Sequence, residues 1–97
     1  MMYKAPTHLS AKAKRWWRSI AEEYLLAQWQ YELLSQAAQT LDRIEELRKD
    51  IRKHGMTYHD RFGQPGLRPE MRSERDNKAL FARLLRDMGL PIEEDEL

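Results

Sequence analysis

Apolar residues recur at helical spacing in three stretches of the chain. In the first, Ala13, Trp16, Trp17, Ile20 and Tyr24 follow at three- and four-residue steps, which predicts one apolar face of an amphipathic helix. Ser10 stands where a side-chain oxygen can accept from the free amides of the first turn, and Leu9 before it can pack back like a hydrophobic staple. The following LLAQWQ holds no glycine, proline or good cap. One helix running on to Lys53 would far exceed the average globular length, so a break is expected around Leu25–Ala27.

The second stripe is Leu34, Ala37, Leu41, Ile44, Leu47 and Ile51, close to a heptad, with Arg48 interrupting a strict repeat. Lys49, Arg52, Lys53 and His54 load its last turn with donors, and Gly55 offers a left-handed stop. The pattern then changes. MTYHDRFGQPGLRP reads as a short hairpin or ordered loop around a Gly63-Gln64-Pro65-Gly66 turn. Pro69 can open a third helix whose inner face is Asn77, Leu80, Phe81, Leu84, Leu85 and Met88, and Gly89 ends it before Leu90-Pro91.

The expected fold is therefore mainly α. An N-terminal arm (1–9) leads into a helical domain (10–90) with helices at about 10–25, 28–54 and 69–88 and a loop or hairpin at 55–68. A tail at 91–97 follows, acidic from Glu93 through Glu94, Asp95 and Glu96. A third helix of this length looks too short to cover both the long stripe and the Trp16–Tyr24 face. The stripe Leu34, Ala37, Leu41, Ile44, Leu47, Ile51 is thus an expected oligomer interface, in an assembly larger than a dimer.

Charge changes this picture in one respect. Seventeen Lys and Arg against 16 Asp and Glu leave a formal net charge of +1, so any nucleic-acid contact must come from a local patch. Such a patch exists: residues 1–21 carry Lys4, Lys12, Lys14, Arg15 and Arg18 with no acid between them. Lys12, Lys14, Arg15 and Arg18 are candidate phosphate contacts, the alternative being charge that keeps an amphipathic helix soluble. Trp16 and Trp17 read as core packing in preference to base stacking. Arg72, Arg75 and Lys78 form a second cluster, diluted by Glu70, Glu74 and Asp76, and read as a solvated face.

Catalytic and cofactor signals are missing. With no cysteine there is no disulfide framework and no thiolate metal site. His54 and His59 flank a glycine turn with only Asp60 near, too few ligands for a metal. Neither a GxxxxGK[ST] phosphate loop nor a GxGxxG turn occurs, and the serines lack a local base. No cofactor and no enzymatic activity are expected. The opening MMYKAPTHLS lacks a signal-peptide core, and no run of about 18 apolar residues offers a membrane span, so a cytosolic protein without membrane contact is expected.

Three stretches, taken in order, resemble the P27-like phage terminase small-subunit family. APTHLSAKAKRWW is similar to that family's proline-then-HLS opening, with Trp17 seven residues after the serine. LLSQAAQTLDRIEELRKDIRKHGMT is similar to its long helix closed by glycine before a polar hairpin, and GQPGLRPEMRSERDNKALFARLLRDMGL to its glycine turn, proline-initiated helix and closing segment. Where the family's second helix usually opens on a threonine or aspartate cap, this chain reads Leu26-Ala27-Gln28-Trp29. Its longer basic leader is reduced to Lys4 and Pro6.

The resemblance implies a packaging subunit that binds double-stranded viral DNA, assembles as a homo-oligomeric ring and regulates the terminase large subunit, which holds the ATPase and nuclease. It implies work in the cytoplasm of the infected bacterial host; the charge pattern itself makes Glu93, Glu94, Asp95 and Glu96 a candidate partner contact, the alternative being solubilising charge. The alternatives are a small dimeric DNA-binding regulator or antitoxin, and a helical adaptor without nucleic-acid contact.

Overall fold

Ser10 has extended backbone angles, and its Oγ accepts from the Ala13 amide at 3.1 Å, so α1 (Ala11–Glu23) begins where a side-chain acceptor is available. The structure, a computed structural model, describes residues 3–91. After α1 come α2 (Gln28–His54), β1 (Thr57–His59), β2 (Pro65–Leu67) and α3 (Pro69–Met88). Three helices and one small antiparallel hairpin bear out the mainly helical expectation.

The break between α1 and α2 falls at residues 24–27 without glycine or proline. Packing decides it, because Trp17 and Ile20 can reach Leu34 and Ala38 only if the chain turns back. Gln30 supplies the missing cap. Its Oε1 accepts from the Ala27 amide at 2.8 Å, and its Nε2 donates to the Met88 carbonyl at 3.0 Å, joining the start of α2 to the end of α3. At the other end Gly55 takes φ 83° with ψ 178°, a positive-φ stop outside the left-handed helical well. Pro69 occupies the first turn of α3, where its missing amide costs nothing.

Contacts along α2 give the layout. Ser10 meets Asp42 and Trp17 meets Ser35, so α1 lies antiparallel along the first half of α2. Gln30 meets Met88 and Arg48 meets Glu74, so α3 runs antiparallel along α2 as well. The result is a three-helix head, a two-helix arm and a hairpin at the arm's end, 58 Å in its longest dimension. Leu9, Ala13, Trp17 and Ile20 meet Leu34, Ala37, Ala38 and Ile44 of α2 and Phe81, Leu84, Leu85 and Met88 of α3 in one buried core. Among the described residues the one buried polar residue is Thr40, whose hydroxyl donates to the Gln36 carbonyl at 2.8 Å.

Two details of the sequence reading shift. Leu80 is exposed, because it sits about a quarter-turn off the line through Phe81, Leu84 and Met88 at 3.6 residues per turn. The long stripe also divides. Leu34, Ala37 and Ile44 are sealed inside the chain, while Leu41, Leu47 and Ile51 are half-buried. The α1 face and the α2 stripe cover each other, so α3 is not the sole cover for either.

The hairpin reverses earlier than the glycine and proline pattern suggests. Thr57 pairs with Leu67, Tyr58 with Gly66 and His59 with Pro65, so Pro65 and Gly66 belong to a strand. The turn is built on Asp60, whose Oδ1 accepts from the amides of Phe62 at 2.8 Å and Gln64 at 2.9 Å. Gly63, with φ 78°, closes it.

Candidate nucleic-acid interface

An amphipathic helix that buries Ala13, Trp17 and Ile20 must turn its charged positions outward, and α1 does so. Arg15 and Arg18 are exposed and Lys14 is half-buried, and among the described residues none of the three has an ion-pair partner. Lys12 differs. Its Nζ lies 3.4 Å from Glu45 Oε1 on α2, which offsets its charge locally. Trp17 is buried with its Nε1 donating to Ser35 Oγ at 3.2 Å, and Trp16 packs its ring 5.5 Å from that of Phe81. The indoles are packing groups, as their spacing suggests.

The second basic cluster is largely neutralised. Lys78 Nζ is 2.5 Å from Glu74 Oε1, and Arg75 is 3.9 Å from Asp76, leaving Arg72 without an ion pair among the described residues. Glu74 also takes Arg48 at 3.6 Å, and Arg48 reaches Glu45 at 3.5 Å. Lys12, Glu45, Arg48, Glu74 and Lys78 therefore form one chain of alternating charge across all three helices. It runs along the mouth of a cleft of about 340 Å³ floored by Trp16, Leu41, Ile44 and Phe81.

Hydrogen bonding from Lys78, with the nearby charges of Lys78 and Arg48, holds the Glu74 carboxyl below its ordinary value against the opposing effect of burial. A carboxyl with a depressed folded-state pKa stabilises the fold at pH above its unfolded value. That contribution is lost as pH falls through the lower folded-state value. Stability measured from pH 6 down to pH 3 should therefore fall less steeply in Glu74→Gln than in the native chain. Equal slopes would show that the network contributes nothing.

Sequence reasoning missed the groups that connect α1 to α2. Asp42 accepts from both the amide and the hydroxyl of Ser10, at 2.8 Å and 2.5 Å, and His8 Nε2 meets Gln39 Nε2 at 2.8 Å. His8-Leu9-Ser10 is thus an anchoring motif that seats α1, with Leu9 in the core. Also missed was the hairpin's exposed apolar surface, treated below. Glu93, Glu94, Asp95 and Glu96, the candidate partner contact, lie outside the described residues. Among the described residues no cluster of His, Cys, Asp and Glu could hold a metal, and no helix is long and apolar enough to cross a membrane.

Against this geometry, a match to the phage terminase small-subunit family spans residues 13–95. The chain belongs to that family. As a terminase small subunit it has a role in phage DNA packaging. The match begins inside α1 and takes in α2, the hairpin and α3, so every element of the fold contributes to it. It names the terminase small subunit as a class and does not extend to the P27-like branch that the motif order resembles. No curated protein and no solved structure matches this terminase small subunit.

Proposed function

We propose that this terminase small subunit binds double-stranded viral DNA through the outer face of α1, assembles as a homo-oligomeric ring and regulates the large packaging ATPase and nuclease. The observation that carries the DNA contact is the set Lys14, Arg15 and Arg18, without ion pairs among the described residues, on a helix whose other face is buried. Lys12 lies on the flank of α1 turned toward α2, where it shares its charge with Glu45, so its contribution is smaller. In a ring, copies of this face recur around the rim, and weak contacts sum through multivalency. Cutting and ATP hydrolysis stay with the large subunit, in the cytoplasm of the infected host. Glu93 to Glu96 offer that partner an acidic handle.

The test is the triple change Lys14→Gln, Arg15→Gln and Arg18→Gln. Each phosphate contact contributes about 0.9 to the slope of log affinity against log salt, so the variant should lose about 2.7 of slope and weaken on all sequences alike. DNA affinity at several salt concentrations, with oligomer mass measured in parallel, reads the outcome. Unchanged affinity and slope with the oligomer intact would remove α1 as the contact.

A further inference from the structure

The helix α2 separates two exposed apolar patches. At its start Leu25 is fully exposed and Trp29 is 53% exposed, in the corner where α1 gives way to α2. Beyond its end the hairpin exposes Met56, Tyr58, Phe62 and Leu67, the last two at 74% and 68%. A helix rises about 1.5 Å per residue, so the 27 residues of α2 hold the patches roughly 40 Å apart. One chain cannot close them on each other.

The hairpin is bare on both faces. Leu67 lies on the side of Thr57 and His59, Tyr58 on the opposite side, and both remain exposed. An isolated two-stranded hairpin is only marginally stable, yet here Asp60 holds the tip and Arg61 lies over the Phe62 ring at 5.0 Å. Four large apolar side chains on a shaped projection fit a protein surface better than a phosphate backbone, which would leave them uncovered.

The two patches carry opposite rims. Glu22, Glu23 and Glu32 flank Leu25 and Trp29, exposed and without ion pairs among the described residues. The end of α3 brings Arg86 and Asp87 to that same end of the molecule, where these two cancel, and Lys4, which lines a pocket with Gln28 and Glu32, offsets one of the three acids. Arg52, Lys53 and Arg61 flank the hairpin, exposed and likewise without ion pairs, and outnumber the Asp60 carboxylate in its turn. Apolar centres ringed by opposite charge are complementary.

We infer that the hairpin of one copy seats on the Leu25–Trp29 corner of a second copy, forming a head-to-tail seam. This rests on the oligomer proposed above and names its contact. Because the two surfaces differ, each joined pair still presents one free hairpin and one free corner. Such contacts propagate, and close into a ring when the rotation per step allows.

The experiment uses two full-length variants. One carries Phe62→Ser and Leu67→Ser in the hairpin, the other Leu25→Ser and Trp29→Ser in the corner. Masses are read by light scattering coupled to size exclusion, with helical circular dichroism as the fold check. The native chain should exceed a dimer and each variant alone should be a monomer. An equimolar mixture should give a dimer, since one intact hairpin meets one intact corner. Phe62→Ser alone keeps the test valid should the double change disturb the strands. A monomeric native chain would overturn the oligomer reading together with this seam. A multimeric native chain whose variants stay multimeric would overturn the seam alone. Variants that keep their mass but lose DNA affinity would reassign the hairpin to DNA.

Discussion

Replacing Trp17 by alanine should destabilise the protein by about 3–5 kcal/mol, the usual cost of emptying a buried aromatic site. Small domains have only about 5–15 kcal/mol in total, so this one change should leave the fold close to failure. Trp17 is 3% exposed, it packs 5.8 Å from Tyr31 and its indole donates to Ser35. Alanine would leave both a void and a hydroxyl without its partner. Trp29→Ala provides the contrast at concentrations low enough to keep the chain monomeric, since Trp29 is 53% exposed within one chain and its loss there should change stability by less than about 0.5 kcal/mol. Trp16, half-buried against Phe81, should fall between them. Urea midpoints from circular dichroism give the ranking. Equal shifts for Trp17→Ala and Trp29→Ala would mean that the core is not where the structure puts it.

That ranking shows which parts of the fold can be read from the chain. Local chemistry announces itself. Ser10 caps, Gly55 stops and Pro69 starts, each by a property of one residue and its near neighbours. The recurrence of Phe81, Leu84, Leu85 and Met88 marks a buried face whatever that face packs against. What stays hidden is pairing across the sequence. Nothing near Asp42 says that it will hold Ser10, and nothing near Glu45 says that it will offset Lys12. Those partners appear only once α1 is laid antiparallel on α2. The break at residues 24–27 is expected from helix length alone, while the packing that fixes it there has no local signal.

The hairpin shows a different limit. Glycine and proline at 63, 65 and 66 point to a turn, but the reversal is organised by Asp60, whose carboxylate gathers two amides at once. An aspartate bonding the amide two residues on is a weaker signal than a glycine-proline cluster, so the cluster displaces it in the sequence. The exposure of Tyr58, Phe62 and Leu67 could not be anticipated either. Alternating apolar residues normally announce a buried face, and here none is buried within the chain. For the basic face, the sequence supplies the candidate residues, but only the structure separates Lys12 from Lys14, Arg15 and Arg18.

Asp42→Ala should loosen α1 from the rest of the molecule at a cost of about 2 kcal/mol. Hydrogen bonds to a charged acceptor are worth about 1.5–3 kcal/mol each, but water can replace part of what is lost at a site this open. The Ser10 hydroxyl works in two directions, donating to Asp42 and accepting from the Ala13 amide. Ser10→Ala therefore loses a helix cap, worth about 1 kcal/mol, together with one of the two bonds to Asp42. Because the two residues share that bond, their effects should not add. A double-mutant cycle on urea midpoints should give a coupling of about 1 kcal/mol. The damage should also be local, since α2 and α3 keep their own contacts through Gln30 and Met88 and through Arg48 and Glu74. Limited proteolysis should then cut first in the connector at residues 24–27, leaving the α2–α3 pair protected. Additive single effects, or cleavage spread evenly over the chain, would show that α1 is held by its apolar face alone and that the Ser10–Asp42 contact is incidental.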